Sequence, residues 1–240
     1  MLLVTVKSFI KYLIRYRFRT RSDGPKYIAL TFDDGPDRSV TPRLLGYLAD
    51  AGVHATFFLV GNHVQANPDI ARAILAGGHD IGNHSLTHRP DYYDAYSSAW
   101  NPPDKNGYMA ELIAAQNIIK AETGATPLFF RPPYLCENEN LLQAAESLGH
   151  PIIYSIDFRD YIAGLSPRII YWRTVGVVKP WDILLFHDQG PNAENAISAI
   201  PKILKNLINH EGFTVLSLSE MLARRNELHL EPGRIYRDFT

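Results

Sequence analysis

Short apolar runs alternate with helix-like segments from Lys26 almost to the end of this 240-residue chain, and that alternation constrains the fold more than any other feature. Strands are expected at residues 27–32, 55–60, 79–82, 128–130, 152–156, 183–186 and 213–216, and helices near 41–51, 69–76, 108–122, 138–148, 167–178 and 193–209. Strands without polar alternation are covered on both faces, and helices between them imply a parallel sheet. Seven such units favour a closed or nearly closed barrel over an open sheet, so the expectation is an α/β fold of distorted (β/α)7 type. No linker divides residues 26–225, which read as one domain between a basic segment at 1–25 and a tail at 226–240. Residues 89–106, rich in Tyr, Asp, Ser, Asn and Pro, read as one long surface loop.

Most of the chemically useful residues stand where these strands end. Asp33 and Asp34 follow the first strand, His84 the third, Arg131 the fourth, Asp157 the fifth and His187 the sixth. A barrel delivers the residues after each strand to one mouth, which is where barrel enzymes keep their active sites. At Thr31-Phe-Asp-Asp-Gly-Pro36 two adjacent carboxylates close a buried strand, and burying acids without a cation is expensive. His84 and His88, four residues apart, could share a metal or could simply cap the loop after Gly82-Asn83. Two His and a carboxylate, here Asp34, make the ligand set of a catalytic zinc site with an open position. Arg131, stiffened by Pro132 and Pro133, could neutralise Asp33 or make an ordinary structural pair. Leu185 and His187 lie two apart on a strand and share a face, an apolar wall beside a proton donor unless His187 is structural.

Charge narrows the class. Of the 24 Lys/Arg and 25 Asp/Glu, 17 and 24 respectively lie beyond residue 26, and a weakly acidic body argues against nucleic-acid binding. The single Cys136 excludes an internal disulfide. In residues 1–21, Lys7, Lys11 and Arg15 recur every fourth residue among apolar ones, as in a cationic amphipathic helix that could lie on an anionic membrane or pack on the domain. The segment is too interrupted by charge to span a bilayer and lacks a clear signal-peptide cleavage site, so localisation stays between the cell envelope, which the basic segment favours, and the cytoplasm.

Five runs in order, Thr31-Phe-Asp-Asp-Gly-Pro36, His84-Ser-Leu-Thr-His88, Arg131-Pro-Pro-Tyr134, Asp157-Phe-Arg-Asp160-Tyr161 and Leu185-Phe-His187, resemble the polysaccharide deacetylases, the NodB-homology group or carbohydrate esterase family 4. The resemblance spans roughly residues 26–222 and includes Ala55-Thr-Phe-Phe58 and Gly77 to His84. It implies Asp33 as general base, Arg131 as its partner, and Asp34, His84 and His88 as ligands of zinc or another divalent metal such as cobalt. It implies His187 as general acid tuned by Asp160, the Tyr134 N–H as an oxyanion donor, and Leu185 and Tyr161 as walls for the acetyl methyl. The expected reaction is deacetylation of N-acetylated sugars in a peptidoglycan, chitin-like or related polymer. Its alternatives are an O-acetyl esterase or sugar deformylase using the same site, and a silent carbohydrate-binding protein.

Three positions depart from the family pattern: Tyr161 stands where Trp is usual, Leu135 where Gly is common, and the 89–106 loop is long. Its Tyr92, Tyr93, Tyr96 and Trp100 could stack on sugar rings or pack the loop. His63, also near a strand end, is left out of the site because the ligand set is already full.

Overall fold

The computed structural model describes residues 25–224 and the backbone of a short strand at 235–236. The segment expected at residues 1–21 lies outside the described residues, and no described helix is long and apolar enough to cross a membrane.

Among the described residues every strand pairing is parallel. The main sheet runs in the order β3 (Asp80–Asn83), β2 (Thr56–Leu59), β1 (Tyr27–Asp33), β6 (Ile183–His187), β5 (Ile156–Asp157). β7 (Thr214–Leu216) pairs with residues 27–29 of β1, and β2 with residues 31–33. Beyond β3, Phe130 bridges Asn83 to Ile152, the first residue of β4 (Ile152–Ile153), and β4 pairs with β8 (Ile235–Tyr236). The strands thus form a distorted barrel. Around it lie α1 (Thr41–Ala51), α2 (Gly61–Ala66), α3 (Pro68–Ala76), α4 (Pro90–Tyr93), α5 (Lys105–Thr123), α6 (Glu139–Ser147), α7 (Pro167–Thr174), α8 (Ala193–Asn209) and α9 (Leu218–Arg224).

Strand periodicity sorts β1 into two faces. Ile28, Leu30 and Phe32 point to the helices and join the main core with Leu44, Leu48, Ile74, Ile200 and Ile203. Ala29 belongs to an interior cluster with Phe58, Phe129, Ile153, Ile183 and Leu216, which Leu218 and Met221 of α9 close. The interior face of β1 therefore reads Ala29, Thr31, Asp33, turning polar toward the end where the chemistry stands.

Four expectations need correction. The strand foreseen at 128–130 shrinks to isolated bridges at Phe130: Leu128 and Arg131, three residues apart, donate to Ile81 O and Asn83 O, two apart on β3, so no regular ladder forms. The run 152–156 breaks into β4 and β5, which pair with different neighbours. Within 89–106, α4 forms directly after Arg89, and α5 begins at Lys105 with the Asp104 carboxylate accepting from the Gly107 N–H. The tail at 226–240 contributes β8, whose partner β4 was not visible from local sequence.

Candidate active site

Register places the site. In the β1–β6 ladder Asp33 lies opposite His187, and in the β1–β2 ladder opposite Phe58, which in turn faces Gly82 of β3. Gly82 has no substitute here: a Cβ would come within 2.5 Å of the Phe58 ring. That ring lies against Gly82 and carries the Arg131 guanidinium 4.1 Å above its centroid. Arg131 is fully buried, and its Nη1 donates to Asp33 Oδ1 at 2.7 Å and to Thr31 Oγ1 at 2.8 Å. One buried cation is thereby fixed to one buried acid, the condition under which such a pair is tolerated.

Asp34 turns the other way, with φ of 77°. Its Oδ1 lies 3.4 Å from His84 Nε2 and 3.1 Å from His88 Nε2, yet it accepts no well-formed hydrogen bond from either. One ligand atom from each of these three residues falls within 4.8 Å of the others. Ligand atoms that converge without bonding one another fit a shared divalent cation. His84 Nδ1 lies 2.7 Å from the Arg131 carbonyl oxygen, which only an N–H can satisfy, so Nε2 keeps its lone pair for the centre. Burial works against the charge of Asp34, but the His88 and His84 imidazoles hold its carboxyl well below the usual carboxylate range.

The His84–His88 loop is set by side chains. Asn83 Oδ1 accepts from the Ser85 N–H, Ser85 Oγ from the His88 N–H, and Glu111 Oε2 from both the N–H and the hydroxyl of Thr87. The Tyr134 ring stands 4.7 Å from that of His88, half exposed, on a tight turn where Tyr134 and Leu135 take φ of 56° and 51°.

Across the mouth, His187 Nδ1 donates to Asp160 Oδ1 at 2.7 Å, and the His187 N–H to Asp160 Oδ2 at 2.8 Å. Burial opposes protonation of His187, but the Asp160 carboxylate overrides it, with help from Asp34 and Asp33, and lifts the imidazole to about 10. Tyr161 stands edge-on to His187 at 5.2 Å and half exposed, and Leu185 is buried in register with Thr31 and Asp157. The ten residues singled out in the sequence thus all gather at this mouth.

Two others belong beside them. His63 Nδ1 lies 2.6 Å from the Asp34 carbonyl oxygen and holds the turn that bears the ligand. Its position near a strand end was a usable signal, but its role is through backbone and not as a ligand. Asp188, fully buried, accepts from the Thr41 hydroxyl at 2.5 Å; burial, then the charge of Asp34, pushes its carboxyl up to about 7. Its place directly after His187 was visible in the sequence, its partner was not.

The comparisons agree with this geometry. The sequence pattern described as polysaccharide deacetylase matches residues 20–153. A peptidoglycan-N-acetylglucosamine deacetylase of Bacillus cereus is 34% identical over 200 residues, 82% of this chain and 88% of that protein. Among solved structures, the Xyl-CE4 domain of a multidomain xylanase from the Trinervitermes trinervoides hindgut metagenome superposes with a TM-score of 0.78 at 29% identity, covering 90% of this chain and 98% of that one. A family 4 acetyl xylan esterase from Clostridium thermocellum, in complex with a cobalt ion, gives 0.77 at 27% identity over 89% and 98%. With its five motifs assembled at one barrel mouth around a three-ligand centre, the chain belongs to the polysaccharide deacetylase family, carbohydrate esterase family 4.

Proposed function

We propose that this protein is a zinc-dependent N-deacetylase of a polymer or oligomer containing N-acetylglucosamine. The observation that carries the reading is the separate pairing of two adjacent acids, Asp33 with Arg131 and Asp34 with His84 and His88. Zinc held by Asp34, His84 and His88 would lower the pKa of a bound water and polarise the acetamide carbonyl.

Arg131 occupies Asp33 Oδ1, leaving Oδ2, 3.6 Å from His84 Nε2, turned toward the centre to take the proton of the attacking water. The Tyr134 N–H steadies the oxygen that becomes negative as the carbonyl carbon turns tetrahedral. His187 uses Nδ1 on Asp160, so its Nε2 is the atom that hands a proton to the departing amine. An amine is too basic to leave unprotonated, which suits an imidazole held in the charged form. Tyr161 and Leu185 wall the space for the acetyl methyl. Similarity to peptidoglycan-N-acetylglucosamine deacetylases supports a cell-wall glycan as the substrate class.

The test is acetate release by zinc-loaded protein from peptidoglycan, chitin oligomers and acetylated xylan. Release from a GlcNAc polymer that drops about 10²–10⁴-fold in Asp33→Asn at unchanged zinc content is expected. Xylan as the only substrate, with weak dependence on His187, would favour the ester reading, since an alcohol leaves more readily than an amine.

A further inference from the structure

The turn after β1 carries the ligand Asp34 in a left-handed conformation that a non-glycine residue adopts only at a cost in strain. Three successive carbonyls of this turn are held from the side of α2. Asp34 O meets His63 Nδ1 at 2.6 Å, Gly35 O accepts the Val60 N–H at 3.1 Å, and Pro36 O accepts from Asn67 Nδ2 at 3.2 Å. On the opposite side one residue closes the clamp. Asp188 donates its N–H to Asp33 O at 3.3 Å and accepts the Thr41 hydroxyl on Oδ2. The same hydroxyl accepts the Asp37 N–H at 2.8 Å, tying the far end of the turn to α1. The carboxyl of Asp188 lies flat against Gly35: a Cβ there would sit 2.4 Å from Oδ1 and 2.5 Å from Oδ2. Oδ1 has no hydrogen-bond partner and is buried, so Asp188 is kept at this spot by shape as much as by bonding.

We infer that Asp188 is a positioning residue for the metal centre, which presses on Gly35 and so fixes the Asp34 carboxylate at its angle toward His84 and His88. Gly35 and Asp188 then act as one unit: the glycine is required because the carboxyl fills the space its side chain would take. The inference rests on Asp34 being a metal ligand.

The experiment measures zinc affinity by chelator competition, beside melting of the metal-free protein, for Asp188→Asn, Asp188→Ser, Thr41→Val, Gly35→Ala and Gly35→Ala combined with each Asp188 variant. Loss of a partner that orients a ligand typically weakens metal binding about 10–100-fold. Asp188→Ser is therefore expected to lose about tenfold in zinc affinity, whereas the isosteric Asp188→Asn, which keeps an acceptor for Thr41, stays within about threefold. Gly35→Ala should lose about tenfold or more in the native and Asp188→Asn backgrounds, and less than about threefold further in Asp188→Ser, where the space is open. Thr41→Val keeps Asp188 and removes its donor, and a weakened zinc affinity there is expected even if Asp188→Ser does not fold. Unchanged affinity in Asp188→Ser or in Thr41→Val overturns the inference, as do Gly35→Ala losses that add fully in the Asp188→Ser background. So does a lowered melting temperature at native zinc affinity, the mark of a purely structural role. If the native protein binds no zinc, the ligand reading and this inference fall together; native binding with an unaffected Asp188→Ser removes this inference alone.

Discussion

Replacing Asp160 with Asn takes one negative charge from His187 and gives up the bond from the His187 N–H, because the single amide oxygen is needed to accept from Nδ1. The Nδ1 bond is 2.7 Å long and Asp160 is fully buried, so solvent screens little of it. A hydrogen bond to a charged partner contributes roughly 1.5–3 kcal/mol and a neutral one roughly 0.5–1.5, a difference of about 1 kcal/mol or somewhat more. At 1.36 kcal/mol per pKa unit that is about one unit. A full charge about 4 Å away at an effective dielectric of about 20 contributes about 4 kcal/mol, which sets an upper limit near three units. From about 10 in the native protein, the imidazole should therefore fall by about one to three units in the variant. Because the protonated imidazole is the proposed acid, activity declines as pH rises through this value. The alkaline limb of kcat/KM for acetate release should move down by that amount, and a two-unit fall would cost about tenfold at pH ~9. A bound cation acts on both proteins alike, so the displacement of the limb is the readout and its absolute position is not. Coincident alkaline limbs, within about 0.3 unit, would refute the argument that Asp160 sets the protonation of His187.

The remaining predictions concern stability and the metal. His187 titrates higher folded, at about 10, than the ordinary imidazole value of 6.5 that the unfolded chain is assigned. The stability this adds is complete below about 6.5 and is lost as pH rises through about 10, so the melting difference between native protein and Asp160→Asn should narrow across that window. Arg131→Met leaves Asp33 buried without its cation and should cost about 3–5 kcal/mol in denaturant unfolding at unchanged slope; a loss below about 1 kcal/mol would mean the pair is not what makes Asp33 tolerable. Chelation should abolish acetate release, and zinc or cobalt should restore it. His84→Ala should weaken zinc binding by at least about 100-fold, and metal analysis showing full occupancy at low zinc would reject the ligand set.

The helices of residues 41–51 and 193–209 coincide with expectation because each is strongly amphipathic, and the first is also bounded by Pro42 and Gly52. The run 128–130 looks like a strand locally because its three residues are apolar, while its spacing against β3 decides whether a regular ladder forms. β8 pairs with a strand some eighty residues earlier, and nothing in so short a run names its partner.

Residue type and position after each strand were enough to locate Asp33, Asp34, His84, Arg131 and His187 at one mouth, since parallel strands in a barrel end on the same side. Local sequence also supplied the ligand chemistry, because two imidazoles and a carboxylate carry it wherever they meet. The pairing of Arg131 with Asp33 and of Asp34 with the imidazoles is already an expectation from the motifs, and tertiary structure supplies the means: Phe58 over Gly82 aims Arg131 at Asp33, and the left-handed turn sends Asp34 to the imidazoles. Tertiary structure alone brought Asp188 and His63 onto the two sides of the ligand turn. Such partnerships depend on register and side-chain packing between segments up to about 150 residues apart, and those distances become short only when the sheet has formed.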